Sequence, residues 1–307
     1  MLKDIKSRYI LEYILNYLCE RNKLRLIKYN KLFKDKINID DMCYRQFTQI
    51  EIEIELKNLD DIISRRKINF ININEDKSFY HIYLDNESTE TKKNFIRSNE
   101  NISQIKIILE MEIKSLKKLF YDCEYIQNIK FTKFNRNDIV DMSSLFENCI
   151  NLIECDLKEL KTKNVIDMSY MFYNCSSLEN LDLSNFVTNN VVYMNNMFSW
   201  CGDINELDLI NFNTDKTINM QEMFSCCSSL NSINISSFNF NNVTNTHLMF
   251  SGCENLENIE IPLIKFKNIN NINIKGMFLD FPEELKDKIK NQIKNIKEDA
   301  FVIHENP

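Results

Sequence analysis

The sequence has very few of the residues on which common catalytic and metal sites depend. Its 307 residues include 3 glycines, 3 prolines and 3 histidines. So few glycines exclude a glycine-rich phosphate loop, which needs several glycines within a few residues. The histidines, His81, His247 and His304, lie too far apart in the sequence to indicate a histidine-rich metal site. An enzyme is therefore a poor expectation, and the sequence predicts no catalytic residue, no metal and no cofactor.

Long hydrophobic runs are also missing. No run of about 18 apolar residues occurs, so no membrane-spanning helix is predicted. The apolar stretch near the start is broken by Glu12 and Asn16 and lacks a small-residue cleavage site, which argues against a signal peptide. A formal charge of −7 argues against nucleic acid as a partner. Ten cysteines in a chain without a signal are expected to stay reduced, so we expect a cytoplasmic protein.

What the sequence does contain is a repeat of 26 residues. One column of the repeat consists of Phe120, Phe146, Phe172, Phe198, Phe224 and Phe250. A second column, in the same register, consists of Cys123, Cys149, Cys175, Cys201, Cys227 and Cys253. One thiol per repeat forms a line, whereas zinc needs four converging ligands, so the cysteines are interpreted as core residues. Several columns in one register indicate a repeat architecture.

Each repeat combines two hydrophobic patterns. Apolar residues three and four apart predict a short helix, as in Val165, Met168, Met171, Phe172 and Cys175. Leu181 and Leu183 then alternate with polar residues, which predicts a strand with one buried face. One unit cannot bury both apolar faces alone. We therefore predict an α/β solenoid, a leucine-rich-repeat-like stack of helix/strand coils with a parallel sheet along one wall.

The flanking segments predict caps for the ends of this stack. The predicted organisation is a helical N-terminal segment, a β-rich cap, the repeats, and a C-terminal capping helix with its tail, over residues 1–37, 38–112, 113–278 and 279–307. Within the cap, the strings INFININ and FYHIYL predict a hairpin. Such caps are expected because an open end of a repeat stack exposes an apolar face and sheet edges.

Two repeats carry a resemblance to a known family. The strings NVIDMSYMFYNCSSLENLDLSNFVTN and NVVYMNNMFSWCGDINELDLINFNTD resemble the BspA-type leucine-rich repeat of bacterial surface proteins, mycoplasma lipoproteins and protist proteins. The resemblance covers roughly residues 113–278 and implies a leucine-rich-repeat solenoid that binds other proteins. Two features depart from the family. We expect no export or anchoring signal like those of the bacterial members, and the glycine usual before the cysteine is kept at Gly252 but mostly replaced elsewhere.

The outward side chains of the predicted strands form the candidate binding surface. These residues are Glu154, Asp156, Asp182, Glu206, Asp208, Asn234 and Glu260. Like charges on adjacent strands repel one another, so a row of carboxylates indicates a basic partner or bound cations. Plain solvation of a position where Asp is common in the repeat family is the other interpretation, and both stay open. Trp200 replaces a turn residue and is predicted to be an exposed anchor.

These features together predict a non-enzymatic protein-binding scaffold. Its exposed strand wall would bind a basic protein surface or peptide. Two alternatives stay open. Residues 1–37 weakly resemble an F-box, which implies a substrate adaptor that docks to a ubiquitin-ligase scaffold. A surface adhesin is the other alternative.

Overall fold

The computed structural model describes residues 49–58, 66–85, 87–110, 112–262, 272–293 and 296–302. The chain divides into two units, Met1–Gln49 and Ile50–Pro307, and the described residues belong almost entirely to the second. The predicted N-terminal helical segment and its F-box-like pattern lie outside the described residues. The domain boundaries given above stay predictions.

The described residues contain ten strands and one α-helix. The strands are β1 (Ile50–Leu56), β2 (Lys67–Asn69), β3 (Tyr80–Leu84), β4 (Phe95–Arg97), β5 (Gln104–Leu109), β6 (Ile126–Phe134), β7 (Glu154–Asp156), β8 (Glu206–Asp208), β9 (Ser232–Asn234) and β10 (Asn258–Glu260). The helix is α1 (Glu283–Gln292), and short 3₁₀ helices occur at Lys77–Phe79 and Glu298–Ala300.

A mixed sheet of five strands, in the order β3-β5-β1-β6-β7, forms the first part of the fold. Its first four strands pair antiparallel, and β7 adds to β6 in parallel. Alternate residues of β1 are buried, as the period of a strand with one core face requires. The predicted hairpin between INFININ and FYHIYL is wrong, because β2 pairs with β4 whereas β3 pairs with β5. The short polar link between the two strings suggested a hairpin, but the true partner of each strand lies further along the chain.

The predicted helix in each repeat is wrong. The segment between the methionine and cysteine columns is a series of turns, and α1 is the one α-helix among the described residues. The cause is a pair of positive-φ residues in every repeat, four positions apart, such as Tyr170 (φ 58°) and Asn174 (φ 55°). A residue in the left-handed region cannot continue a right-handed helix. The apolar residues three and four positions apart are buried by successive turns instead, so this spacing alone does not distinguish turns from a helix.

Backbone hydrogen bonds of the turn segment run between repeats. Alternate N–H groups donate to the carbonyl 25 residues further along the chain, at 2.8–3.0 Å: Met142 to Asp167, Ser144 to Ser169, Phe146 to Met171, and Asn148 to Tyr173. The intervening N–H groups donate three residues back, as Cys149 does to Phe146 (3.0 Å). Neighbouring turn segments thus satisfy one another's polar groups, which an α-helix would have satisfied internally.

The predicted parallel sheet along one wall of a helix/strand stack is also wrong. β8, β9 and β10 form a parallel sheet of three strands, each three residues long. Leu181 and Leu183 lie outside any strand, and the pairing before them is a single bridge between Glu154 and Asn180. Strands this short make few ladder bonds, so the loss of one pairing interrupts the sheet. The described part of the fold therefore consists of one mixed sheet, one antiparallel strand pair and one short parallel sheet, together with stacked turns, and it is not the predicted helix/strand solenoid.

The phenylalanine and cysteine columns form the centre of the core. From Phe120 to Phe250, successive phenylalanine rings are buried and stacked, with centroids 5.1–5.8 Å apart and interplanar angles of 2–21°. The thiol of Cys149 donates to the carbonyl of Phe120 at 3.1 Å, and later cysteines repeat this bond. All six column cysteines are buried free thiols, which confirms their interpretation as core residues.

Both ends of the turn stack are covered by other segments. At the first end, Asn72 donates its N–H to the Leu119 carbonyl (2.7 Å) and its side-chain amide to the Tyr121 carbonyl (2.6 Å). At the other end, beyond α1, the Ala300 carbonyl accepts from the N–H of Phe278 (2.8 Å). Backbone groups that would otherwise lack a neighbouring repeat are thereby satisfied.

Candidate partner-binding wall

The strand wall carries outward side chains in two columns, each repeating every 26 residues. The first column is Asn128, Glu154, Asn180, Glu206, Ser232 and Asn258. The second is Lys130, Asp156, Asp182, Asp208, Asn234 and Glu260. The parallel pairings place equivalent residues side by side, as with Glu206, Ser232 and Asn258. All seven predicted wall residues lie in these columns; Asp156 and Asn234 are half-buried, and the other five are exposed.

Two grooves follow this wall. The proximal groove lies over β1, β6 and β7 and encloses about 520 Å³. The distal groove lies over β8, β9, β10 and residues 179–182, and it encloses about 700 Å³. Leu207 and Ile233 form part of the floor of the distal groove. The predicted wall residues are divided between the grooves, and Asp182 lines both.

Second-column residues are tied to their own backbone by Asx turns, in which a side-chain oxygen accepts from the N–H two residues later. These bonds are Asp156 with Lys158 (3.3 Å), Asp182 with Ser184 (3.0 Å), Asp208 with Ile210 (3.1 Å) and Asn234 with Ser236 (3.0 Å). The hydrogen bonds from Ser184 lower the pKa of Asp182. These turns were not predicted from the sequence, although the presence of only Asp or Asn at these four positions indicates them. The carboxylate row thus has a structural cause independent of any partner.

Charge differs between the two grooves. In the proximal groove, Lys130 Nζ lies 3.3 Å from Asp156 Oδ2, and the amide of Asn128 donates to Glu55 Oε2 at 2.7 Å. The distal groove is lined by five carboxylates and no lysine or arginine: Glu179, Asp182, Glu206, Asp208 and Glu260. None of these five is ion-paired with another residue that the structure describes. The distal groove is therefore the more negative part of the wall.

The side chains of the wall are mainly carboxylates and amides, which can bind a partner. Over the described residues, no group of three or more His, Cys, Asp or Glu side chains is arranged to hold a metal ion. Burial raises the pKa of Cys201 to about 12, which keeps this thiol protonated and makes it a poor nucleophile. The arrangement suits electrostatic attraction and hydrogen bonding to a partner.

Trp200 lies apart from the wall, in the turn segment. Its side chain is 52% exposed, which agrees with the predicted exposure. Its φ angle is 64°, so it occupies the second positive-φ position of its repeat. Equivalent positions hold Asn148, Asn174 and Gly252, which adopt this conformation more readily.

A family model matches residues 114–208 and 194–292, which together make up more than half of the chain. Its description is "Mycoplasma protein of unknown function, DUF285". The chain belongs to this family. No curated protein and no solved structure matches the chain.

The matched segments of this DUF285 protein include all seven predicted wall residues and Trp200. They leave out β1 to β5, so three of the five strands of the mixed sheet lie outside the match. No helix among the residues described above is long and apolar enough to cross a membrane.

Proposed function

We propose that this DUF285 protein is a non-enzymatic scaffold that binds a basic protein surface or peptide in its distal groove. One observation carries the proposal: five carboxylates, and no lysine or arginine, line a concave surface of about 700 Å³. A cleft lined by one sign of charge raises the local concentration of oppositely charged partners. The buried leucine and isoleucine on the groove floor offer apolar contact as well.

The repeat strings support a partner that is a protein. They resemble the BspA-type repeat, and we infer kinship with those proteins from the strings themselves. We also infer a cytoplasmic location, because the eight described cysteines are free thiols, as expected in a reducing compartment. No observation on the described residues favours the ubiquitin-ligase adaptor or the surface adhesin.

The Asx turns determine which variant tests the groove. Changing Asp182 or Asp208 to Lys would remove both the charge and the acceptor of the turn bond, so lost binding could reflect local unfolding. Asn keeps the acceptor oxygen and removes the charge. The test variant is therefore Asp182→Asn, Asp208→Asn and Glu206→Gln in one chain.

Binding is measured against immobilised peptides matched in length, with net positive, zero or negative charge. We expect the positive peptides to bind the wild-type chain and to be released as salt is raised. The triple amide variant should bind them about tenfold more weakly, because each exposed charge contributes up to about 1 kcal/mol. Circular dichroism should be unchanged.

A matched control removes the same number of charges elsewhere. Glu283→Gln, Glu284→Gln and Glu298→Gln alter exposed residues of α1 and the segment after it, outside both grooves. This control should bind like the wild type. Equal weakening in the two variants would attribute binding to net charge and would contradict a specific groove.

A further inference from the structure

The only tryptophan of the chain occupies a backbone position that disfavours it. Trp200 has a φ of 64°, a conformation in which a bulky L residue is strained. Its indole is half exposed and has no hydrogen-bond partner among the described residues. A strained, exposed aromatic residue is a reason to look for an external contact.

Two tyrosines lie in the neighbouring repeat beside Trp200. Tyr170 and Tyr173 contact each other, with ring centroids 5.6 Å apart and an interplanar angle of 59°. The N–H of Asn174, next to Tyr173, donates to the carbonyl of Ser199 at 2.8 Å. This bond places the backbone of Tyr173 alongside that of Trp200. Tyr170 and Tyr173 are half-buried and Trp200 is exposed, so all three side chains reach the outside of the turn segment on neighbouring repeats.

Two carboxylates lie near Tyr170. Burial raises the pKa of Tyr170, and the nearby charges of Glu222 and Glu147 raise it further. The same turn segment already holds a cation over an aromatic ring, since Lys118 Nζ lies 4.7 Å from the centroid of Tyr121. Aromatic faces next to carboxylates favour a cationic ligand over a neutral or anionic one.

We propose that Trp200, Tyr170 and Tyr173 form a second contact surface, which binds an arginine or lysine side chain of a partner protein. The cation lies over the aromatic faces, and Glu147 and Glu222 supply the opposite charge. The surface lies on the turn segment and is separate from the distal groove. It is independent of the proposed function, and either can fail alone.

Intrinsic fluorescence tests this surface directly, because Trp200 is the only tryptophan in the chain. The probe is an arginine–glycine peptide, added to the full chain at low salt, with a glutamate–glycine peptide of equal length as its control. We expect saturable quenching or a spectral shift with the arginine peptide alone. The amide variant of the distal groove should show the same response, since its changes lie on another face.

Two variants sharpen the result. Glu147→Gln with Glu222→Gln should weaken the fluorescence response to the arginine peptide about fivefold, in line with the strength of exposed cation–π and ion pairs. Trp200→Asn, in the background of the distal-groove amide variant, should remove calorimetric binding of the peptide. It should also raise the melting temperature by about 2 °C or more, because asparagine suits this backbone position.

Three results would overturn the proposal. One is an equal fluorescence response to the arginine and glutamate peptides. Another is a response to a neutral oligosaccharide without one to the arginine peptide, which would assign the rings to sugar binding. The third is a lower melting temperature of Trp200→Asn with peptide binding unchanged, which would give Trp200 a packing role.

Discussion

The mixed sheet and the stacked turns satisfy their polar groups in different ways. In the sheet, Glu51 accepts from Lys133 at 3.0 Å and lies 3.2 Å from Lys106, each on a neighbouring strand. In the turns, a residue often bonds to one of its own type a repeat away, as the amide of Asn174 does to Asn148 Oδ1 (3.0 Å). This contact of the sheet joins unlike charges, whereas this contact of the turns joins like residues.

This difference gives a physical reason for the high asparagine content of the chain. A column of identical carboxylates or ammonium groups repels itself, but an amide carries both a donor and an acceptor, so equal residues can bond in a row. The chain has 44 asparagines: some link repeats by such amide pairs, and others donate their side-chain amide to a backbone carbonyl of the preceding repeat. Threonine does the same: Thr188 Oγ1 donates to the Asn213 carbonyl (2.9 Å) and accepts from its N–H (2.8 Å).

The largest effect is expected from a substitution in the phenylalanine stack, which should destabilise the turn region more than the mixed sheet. Phe198 is fully buried, with ring centroids 5.6 and 5.7 Å from Phe172 and Phe224. Phe198→Ala should lower the free energy of unfolding by about 4 kcal/mol, measured in urea. Hydrogen exchange should accelerate first in the neighbouring repeats and less in β1, β3 and β5. Equal acceleration in both regions would mean that they unfold as one unit.

A smaller effect is expected at the junction between the two regions. Arg136 follows β6, is buried, and donates to the carbonyls of Glu110 and Ile113 and to Asp138 Oδ1. Arg136→Met should lower the free energy of unfolding by about 3 kcal/mol, because it leaves these acceptors without their charged donor. Lys114→Met, which removes the exposed partner of Asp138, should cost under about 1 kcal/mol. Equal losses of stability in the two variants would show that Arg136 stabilises the junction no more than an exposed ion pair does.

The smallest effect concerns pH at the same junction. Burial raises the pKa of Asp138, but hydrogen bonds from Arg136 and Lys114 outweigh it, so the pKa falls below its ordinary value of 3.8. A carboxyl with a depressed pKa stabilises the fold above its unfolded pKa, and this stability is lost as pH falls below it. The free energies of unfolding of wild type and Asp138→Asn should therefore converge on acidification. Parallel curves would contradict this assignment.

The columns of the repeat could be predicted, but their backbone could not. The 26-residue spacing identified which residues share a position, and the burial of Phe198 and Cys201 follows from it. The helix prediction failed because apolar spacing does not report φ, and Tyr170 and Glu222 are unusual residues for positive φ. Asparagine at 148 and 174 was a local signal of the left-handed conformation, which both residues adopt.

The candidate site shows the same division. Outward positions such as Asp182 and Glu206 followed from alternation along a strand. The Asx turns that hold Asp182, and the lysine that compensates Asp156 but not Asp208, depend on which strands become neighbours. Whether a lysine lies next to a carboxylate of the wall depends on which strands pair, and the residue spacing within one repeat gives no information about that pairing.

By itself the sequence determined the repeat length, the buried columns and the outward acidic row, because these depend on periodicity along one chain. Only the tertiary structure decided that the repeats are turns, that the parallel sheet is interrupted at Leu181, and that the acidic charge collects in the distal groove. Hydrogen bonds between repeats can stabilise turns as well as hydrogen bonds within a repeat stabilise a helix. The outcome therefore depends on neighbours that lie far away in the sequence.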